Sequence, residues 1–328
     1  MKLNFFVALG AIINSATARP SCKNTLRVET FLNTGPSLEV VSSLIIGSEA
    51  AVIIDLPLAI PQAEALAEWV RNTTDKPLVA AFSTHSHPDH YLGGAAFLDR
   101  FPDAKYYANS KVVEFIANEA PHKAEFWRAT LGDELVVDNV TIPTPYDFTF
   151  FALPGDEGFP IHLVSPLVGD TIDETLFWIP SISTLIAGDA VYSHDMHLWL
   201  ADLLTPALTE AWLSTLDFVE SLKPRTIIPG HSLSSKKFGS NVDLEHTRKY
   251  VTYFKNKIQS KGEDFFTPKE IYKMLNSAFP HLLPKTSQTS AFLLNFTSEQ
   301  FGRGGQRQIH YVDLASFNNL TELEGWKI

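Results

Sequence analysis

Three histidines and an aspartate lie within six residues of one another, in the string His85-Ser86-His87-Pro88-Asp89-His90. The chain holds only eleven histidines among its 328 residues, so such a string seldom arises by chance. Imidazole nitrogens and carboxylate oxygens are ligands that divalent metal ions take in proteins. The spacing therefore predicts a metal site.

The residues before this string predict a short buried strand over 78–82. Side chains two residues apart face the same side of a strand, so His85 and His87 can bind one ion together. A proline turn then carries Asp89 and His90 towards a neighbouring position. One string can therefore serve two metal ions.

Two further candidate ligands, Asp189 and His231, each follow an apolar run that ends in a glycine. The runs are Leu185-Ile186-Ala187-Gly188 and Ile227-Ile228-Pro229-Gly230. Both runs predict a strand followed by a turn, so each candidate ligand comes at the carboxyl end of a strand.

The pattern of the remaining sequence predicts an α/β fold with a helical C-terminal part. Strands are predicted over 38–46, 51–54, 78–82, 148–151, 161–164, 175–179, 183–187 and 226–228. Helices are predicted over 61–70, 90–98 and 208–222, and the chain is mostly helical from Val242 onwards. Within that part, Thr267-Pro268-Lys269-Glu270 predicts a helix start with a capping box.

From roughly Leu38 to Ser232, these motifs resemble the metallo-β-lactamase-fold superfamily, whose members share His-x-His-x-Asp-His, a later His, a Gly-Asp and a final His. The resemblance implies an αββα sandwich with a two-metal hydrolytic site, in which a bridging hydroxide attacks an ester, thioester, lactone, lactam or phosphoester. Two zinc ions per chain are expected. By position, His85 and His87 bind the first metal, Asp89, His90 and His231 bind the second, and Asp189 bridges them.

One position departs from the family pattern. The family's third histidine falls about nineteen residues before the Gly-Asp aspartate, and here that position holds Asp170. Asp170 is either a ligand of the first metal or a turn residue, and His162, inside a predicted strand, is the fallback ligand. With Asp170 as ligand, three carboxylates and a hydroxide balance two divalent ions. The ions then become weaker Lewis acids, and manganese or iron becomes acceptable beside zinc.

The loop after Asp189 holds His197, which resembles a histidine found there in some branches of the superfamily. We expect His197 to contact substrate or donate a proton, and Asp89 to pass a proton to the leaving group. Tyr192 and Trp199 either line the pocket or pack in the core, and Asp55 is expected to fix a ligand histidine. Four histidines outside any motif are predicted to be scaffold or surface residues: His122, His246, His281 and His310.

The first eighteen residues predict a signal peptide with cleavage after Ala18, because Lys2 precedes an apolar run, too short to span a bilayer, and then small residues. Four Asn-x-Ser/Thr acceptors fit a secreted glycoprotein; they begin at Asn72, Asn139, Asn295 and Asn319. We expect a metallo-β-lactamase-like domain over 19–240 and a helical extension over 241–328 packed on it. The formal net charge of −11 argues against a nucleic-acid partner.

The sequence thus predicts a secreted binuclear metal hydrolase of a small acyl substrate, a lactam, lactone or ester, in detoxification or secondary metabolism. It resembles a secreted, fungal-type branch of the superfamily. One alternative is a thioesterase that releases acyl or polyketide chains from a carrier protein. Another is a metal-binding protein made inactive by the carboxylate at position 170.

Overall fold

The computed structural model describes residues 26–234, 238–262 and 264–314. The predicted signal peptide, its cleavage site and the acceptor Asn319 lie outside these ranges. Within them, two β-sheets pack face to face and helices cover the outer face of each sheet. This is the αββα sandwich that the resemblance implied.

The first sheet has six strands in the order β1 to β6. They are β1 (Arg27–Asn33), β2 (Val40–Ile46), β3 (Ala51–Ile54), β4 (Leu78–Phe82), β5 (Lys105–Ala108) and β6 (Thr144–Pro145). The first three strands pair antiparallel, and the sheet then continues with parallel pairs. Its outer face packs against α1 (Ile60–Thr73), α2 (Gly94–Leu98) and α3 (Ser110–Leu131).

The second sheet has five strands, in the order β11-β10-β9-β8-β7. They are β7 (Phe150–Phe151), β8 (Ile161–Leu167), β9 (Glu174–Ile179), β10 (Thr184–Ile186) and β11 (Thr226–Ile228). Its outer face packs against α4 (Pro206–Ser221), α5 (Val242–Lys257), α6 (Pro268–Ala278) and α7 (Thr289–Phe301). The helices of the C-terminal part therefore share one hydrophobic core with this sheet.

Strand β2 shows how the sequence builds the layers. Val41 and Ile45 point into the core between the two sheets, whereas Leu44 and Ile46 point to the core under the helices. Successive side chains of a strand face opposite sides, so a strand buried on both faces is mostly apolar. The two exceptions in β2 are Ser42 and Ser43, and the Ser42 hydroxyl donates to the Asp55 carbonyl.

The sheets bring three strand ends to one edge of the sandwich. β10 and β11 are parallel, and their last residues, Ile186 and Ile228, are paired. Asp189 lies three residues after the end of β10, and His231 lies three residues after the end of β11. His85 likewise lies three residues after the end of β4. Equal spacing from aligned strand ends places these side chains together.

One helix prediction was wrong in its start, and one helix was not predicted. The predicted helix over 90–98 begins only at Gly94, because the carbonyl of His90 accepts hydrogen bonds from the Leu56 amide and the Ser83 hydroxyl. Helix α3 was not predicted at all, since Pro121 lies inside it and prolines usually end helices. The capping box between Thr267 and Glu270 is confirmed.

No helix in the described ranges is long and apolar enough to cross a membrane. Three of the four predicted glycosylation acceptors can be located, and each is exposed: Asn72, Asn139 and Asn295. Their glycosylation stays a prediction.

Candidate metal centre

The structure brings together all seven residues predicted as metal ligands. They form two adjacent groups, within each of which the candidate ligand atoms lie within 4.8 Å of one another. The first group comprises His85, His87, Asp170 and Asp189, and the second comprises Asp89, His90 and His231.

The second group has the spacing of ligands around a single ion. His90 Nε2 lies 3.3 Å from His231 Nε2, and Asp89 Oδ2 lies 3.3 Å from the same His231 atom. Zinc bonds of 2.0–2.1 Å in tetrahedral geometry place ligand atoms about 3.3 Å apart. The three side chains are therefore set at coordination distance.

Asp189 touches both groups. Its Oδ1 lies 3.2 Å from His90 Nε2 and its Oδ2 lies 3.1 Å from His231 Nε2, although it also clusters with the first group. A carboxylate that belongs to the first group and also contacts two imidazoles of the second is placed to bridge two ions.

Asp170 lies in the first group, in the loop between β8 and β9. Its Oδ2 is 3.3 Å from His87 Nδ1 and its side chain is buried. The Tyr192 hydroxyl lies 2.6 Å from Asp170 Oδ2 and 2.7 Å from Asp189 Oδ2, and donates to these carboxylates. Burial and the two carboxylates raise the pKa of Tyr192 well above its ordinary value, so the hydroxyl keeps its proton.

Several atoms of the centre have no hydrogen-bond partner among the described residues. They are buried, and they include His85 Nε2 and Asp170 Oδ1. An unsatisfied buried polar atom costs roughly 1–3 kcal/mol, and native proteins hold few of them. A donor set of imidazoles and carboxylates suits divalent cations, so the residues present fit two such ions.

Asp55, at the end of β3, supports two of the candidate ligands. Its Oδ2 lies 3.0 Å from His90 Nδ1, and its Oδ1 accepts from the Thr84 hydroxyl. The hydroxyl oxygen of Thr84 can then accept from His85 Nδ1, 2.9 Å away. His85 Nδ1 and His90 Nδ1 thus face Thr84 and Asp55, and both imidazoles keep Nε2 for a metal, which is the role expected of Asp55.

The other two imidazoles are also held by their second nitrogen. His231 Nδ1 donates to the Leu38 carbonyl at 2.7 Å. His87 Nε2 donates to Asp202 Oδ2 at 2.9 Å, so His87 presents Nδ1 to Asp170. Asp202 was not among the predicted site residues, since no motif marks an aspartate so far along the loop.

Gly230 leaves room for the bridging carboxylate. A Cβ atom at this position would lie 1.8 Å from Asp189 Oδ1 and 2.7 Å from the Gly188 carbonyl carbon. Any side chain here would displace Asp189 or the backbone that holds it. The glycine before His231 is therefore a requirement of the centre.

The carboxylates shift the pKa values of the imidazoles in the metal-free protein. Burial alone lowers the pKa of His231, but Asp189 and Asp89 raise it to about 10. Burial acts the opposite way on a carboxyl and raises the pKa of Asp170 to about 7. At neutral pH His231 therefore carries a proton, which a binding metal ion would have to displace.

A cavity of about 360 Å³ adjoins the centre. Candidate ligands of both groups form one end, and residues of α3, of α7 and of the segment 306–311 form the walls. Trp199 and Tyr192 line it, and both also contribute to the hydrophobic core, Tyr192 as a buried member and Trp199 packed against it. His310 lines it as well, with Nδ1 at 3.9 Å from Asp202 Oδ1, although the sequence analysis assigned it to the scaffold.

His197 does not line this cavity. Its ring is buried, and Nδ1 lies 2.8 Å from the Tyr250 hydroxyl on α5. Burial lowers the pKa of His197 to about 4, so the ring is neutral at physiological pH. The expected substrate contact or proton donation by His197 is therefore not supported by its position, which is structural.

His162, the fallback ligand, is also outside the centre. It lies within β8, paired with Trp178 of β9 and Phe150 of β7. Asp170, rather than His162, joins the first group.

Comparisons with known proteins agree with this architecture. The family model of the metallo-beta-lactamase superfamily matches residues 36–231, more than half of the chain. Metallo-beta-lactamase IND-1 of Chryseobacterium indologenes is 26% identical over 243 residues, covering 72% of this chain and 89% of the relative. Metallo-beta-lactamase type 2 of Bacteroides fragilis is 23% identical over 214 residues, covering 64% and 74%.

A solved structure shares the fold at lower sequence identity. A double mutant of the sec-alkyl sulfatase PisA1 has a TM-score of 0.53 and 18% identity, covering 74% of this chain and 43% of that one. The matched segment 36–231 holds all seven candidate ligands. The chain therefore belongs to the metallo-β-lactamase superfamily of metal-dependent hydrolases.

Proposed function

We propose that this protein is a binuclear hydrolase in which the two ligand groups each bind a divalent ion, zinc being the expected metal, and which cleaves a small acyl substrate. The observation that carries the proposal is Asp189, whose two oxygens reach His90 and His231 while it clusters with His85, His87 and Asp170. A shared carboxylate between two ligand groups is the arrangement of a two-metal hydrolytic site.

When bound, the two ions would lower the pKa of a water molecule and polarise the carbonyl oxygen of the substrate. The protein's own groups set the geometry of that chemistry. Tyr192 holds Asp170 and Asp189 against one another, and Asp55 and Asp202 orient the imidazoles. Asp89 lines the cavity. Burial would raise its pKa, but His231 and His90 lower it, so Asp89 is ionised and can accept a proton from the attacking water.

The carboxylate at position 170 sets the charge of the centre. Asp89, Asp170 and Asp189 together supply three negative charges against the four positive charges of two divalent ions. The centre is less positive than one with a third imidazole in the first group, so its ions polarise a carbonyl more weakly. This favours substrates whose carbonyl is already activated, such as strained lactams, lactones and aryl esters.

The two relatives that carry the name metallo-beta-lactamase make a β-lactam the first substrate to test. All seven ligand positions are occupied by ligand-type side chains, which argues against the inactive metal-binding alternative. The thioesterase alternative enters the same experiment as one substrate class.

The test begins with metal analysis of the purified protein, followed by chelation and reloading with zinc, manganese or iron. Each form is then assayed on a panel of β-lactams, lactones, aryl esters and thioesters. We expect two ions per chain, loss of hydrolysis on chelation and recovery on reloading. Full metal loading without turnover of any class would overturn the proposal, and Asp189→Asn should lose both ions.

A further inference from the structure

Five aromatic side chains form a continuous row along the cavity. Trp199 and Phe296 have ring centroids 5.7 Å apart, Phe296 and Phe292 4.4 Å, Phe292 and Trp127 5.9 Å, and Trp127 and Phe126 5.4 Å. All five residues line the cavity. We call this set the aromatic row.

The row connects the metal centre with solvent. At one end, the Trp199 ring lies 6.0 Å from the ring of His87, a candidate ligand. At the other end, Phe126 is 44% exposed. A molecule whose reacting bond lies at the metal centre would therefore extend over aromatic surface towards the outside.

Three separate parts of the chain contribute to the row. Trp199 comes from the loop after β10, Phe126 and Trp127 from the last turns of α3, and Phe292 and Phe296 from α7. The two residues of α7 are four apart, and such residues lie on the same face of a helix. Phe292 also packs against the hydrophobic cores of both layers, so the core holds the row in place while both residues line the cavity.

The rings are tilted relative to their neighbours, by 33° between Trp199 and Phe296 and 45° between Phe292 and Phe296. Aromatic groups attract one another in tilted and offset arrangements, and each pair is worth more than its buried area alone. A flat unsaturated group gains this interaction along the row, whereas a saturated group of the same size gains only burial.

We propose that the aromatic row is the binding subsite for a flat aryl acyl group, and that the protein selects substrates that carry such a group beside the bond to be cleaved. The proposal rests on the proposed function for the position of that bond. It adds the class of substrate, aryl acyl compounds, and the residues that recognise them.

The test measures binding and does not require hydrolysis. The probes are 2-naphthoate, as the acid product of an aryl acyl substrate, and its fully saturated analogue decahydro-2-naphthoate, titrated calorimetrically into the metal-loaded protein. Both probes carry the same carboxylate, so their difference isolates the rings. We expect 2-naphthoate to bind about two- to tenfold more tightly.

Two variants locate the interaction. Phe296→Leu keeps an apolar side chain within the row and should abolish the preference for 2-naphthoate, and Phe126→Leu at the exposed end should reduce it. Phe148→Leu is the matched control, because Phe148 is 73% exposed and does not line this cavity. Metal content and melting temperature are recorded for each variant to show that it is folded.

Equal affinity for the two probes would overturn the aryl assignment, and so would an unchanged preference in Phe296→Leu. Failure to detect binding of either probe would overturn the subsite itself. The proposed function fails by a different result, the absence of turnover with both ions bound, so the two failures can be told apart.

Discussion

The imidazoles of His90 and His231 face one another with their Nε2 atoms 3.3 Å apart. Each ring is fixed through its other nitrogen, His90 near Asp55 and His231 at the Leu38 carbonyl. Two imidazole lone pairs repel at this distance unless a proton or a cation lies between them. In the metal-free protein Asp189 and Asp89 raise the pKa of His231 to about 10, so this ring is protonated at neutral pH and a metal ion would replace that proton.

The affinity of the second group for metal should therefore rise with pH. The pKa of His231 is about 10 in the metal-free protein, so a metal ion that binds below pH 10 must displace this proton. The affinity for metal should therefore fall by up to about tenfold for each pH unit below 10. Competition with a chelator at pH 6.5, 7.5 and 8.5 measures the affinity. Binding heats in buffers of different ionisation enthalpy count the protons released. Affinity independent of pH would contradict the assignment of His231, and His162→Gln should leave the dependence unchanged.

The same proton gives the metal-free protein the opposite trend in stability. The folded-state pKa of His231 lies above its ordinary value of 6.5. The ion pairs of protonated His231 therefore add to the free energy of unfolding fully below about pH 6.5, and this contribution is lost as pH rises through about 10. The melting temperature of the chelated protein should fall over this interval, by roughly 3–6 °C. In His231→Gln the fall should be smaller, and an equal fall would assign it to other groups.

Gly230→Ala should abolish metal binding at both groups. The new methyl would occupy the place of Asp189 Oδ1, and Asp189 serves both groups. Gly239→Ala is the matched control, because nothing lies within 4 Å of a Cβ there. Metal analysis and melting curves of the two variants decide the matter. Two ions retained in Gly230→Ala would show that Asp189 is not a required ligand.

Asp170→Asn weakens a direct ligand and should lower the affinity of the first group for metal by at least about tenfold, the smallest loss typical of a ligand's hydrogen-bond partner, while the second group stays loaded. The amide is a weaker ligand than the carboxylate but nearly the same size, so the fold is kept. Asp173→Asn is the control on the same loop, since Asp173 belongs to neither group and its positive φ of 60° suits asparagine. Equal metal content and affinity in wild type and Asp170→Asn would remove Asp170 from the ligand set.

Asp202→Asn should lower the metal affinity of the first group by changing the tautomer of His87. The carboxylate accepts from His87 Nε2 and so directs Nδ1 towards the metal position; an amide can donate to Nε2 instead and favour the other tautomer. We expect a loss of about tenfold in the affinity of the first group, measured by chelator competition. Asp195→Asn, on the same loop, should have no such effect, because Asp195 accepts from the Leu233 amide, a bond that asparagine can also accept. If both variants lose equal affinity, the effect is one of loop structure.

Much of the centre could be predicted because its ligands lie close to strand ends. The sequence motif identifies the candidate ligands between His85 and His90, and the glycines in the turns after two strands identify Asp189 and His231. Even Asp170 followed from a count of nineteen residues back from Asp189. His197 shows the limit, because the direction of its side chain depends on Tyr250 of α5, which no local pattern reveals.

The walls of the cavity could not be predicted for a similar reason. Trp199 and Phe296 meet only because α7 packs beside the loop after β10, and contacts between such distant parts of the chain leave no periodic signal. Helix α3, which carries Phe126 and Trp127, was missed because of Pro121. The sequence thus predicts the chemistry better than the shape of the space beside it.

The segment shared with the superfamily ends at His231, whereas Phe292 and Phe296 lie beyond it on α7. Part of the wall next to the metal centre thus lies outside the matched segment that holds the centre itself. Selection can alter the residues of α7 and change which compounds reach the ions while every ligand stays in place. Relatives with identical metal ligands can therefore differ in substrate specificity. We expect the sequence differences responsible to lie in the helix that corresponds to α7.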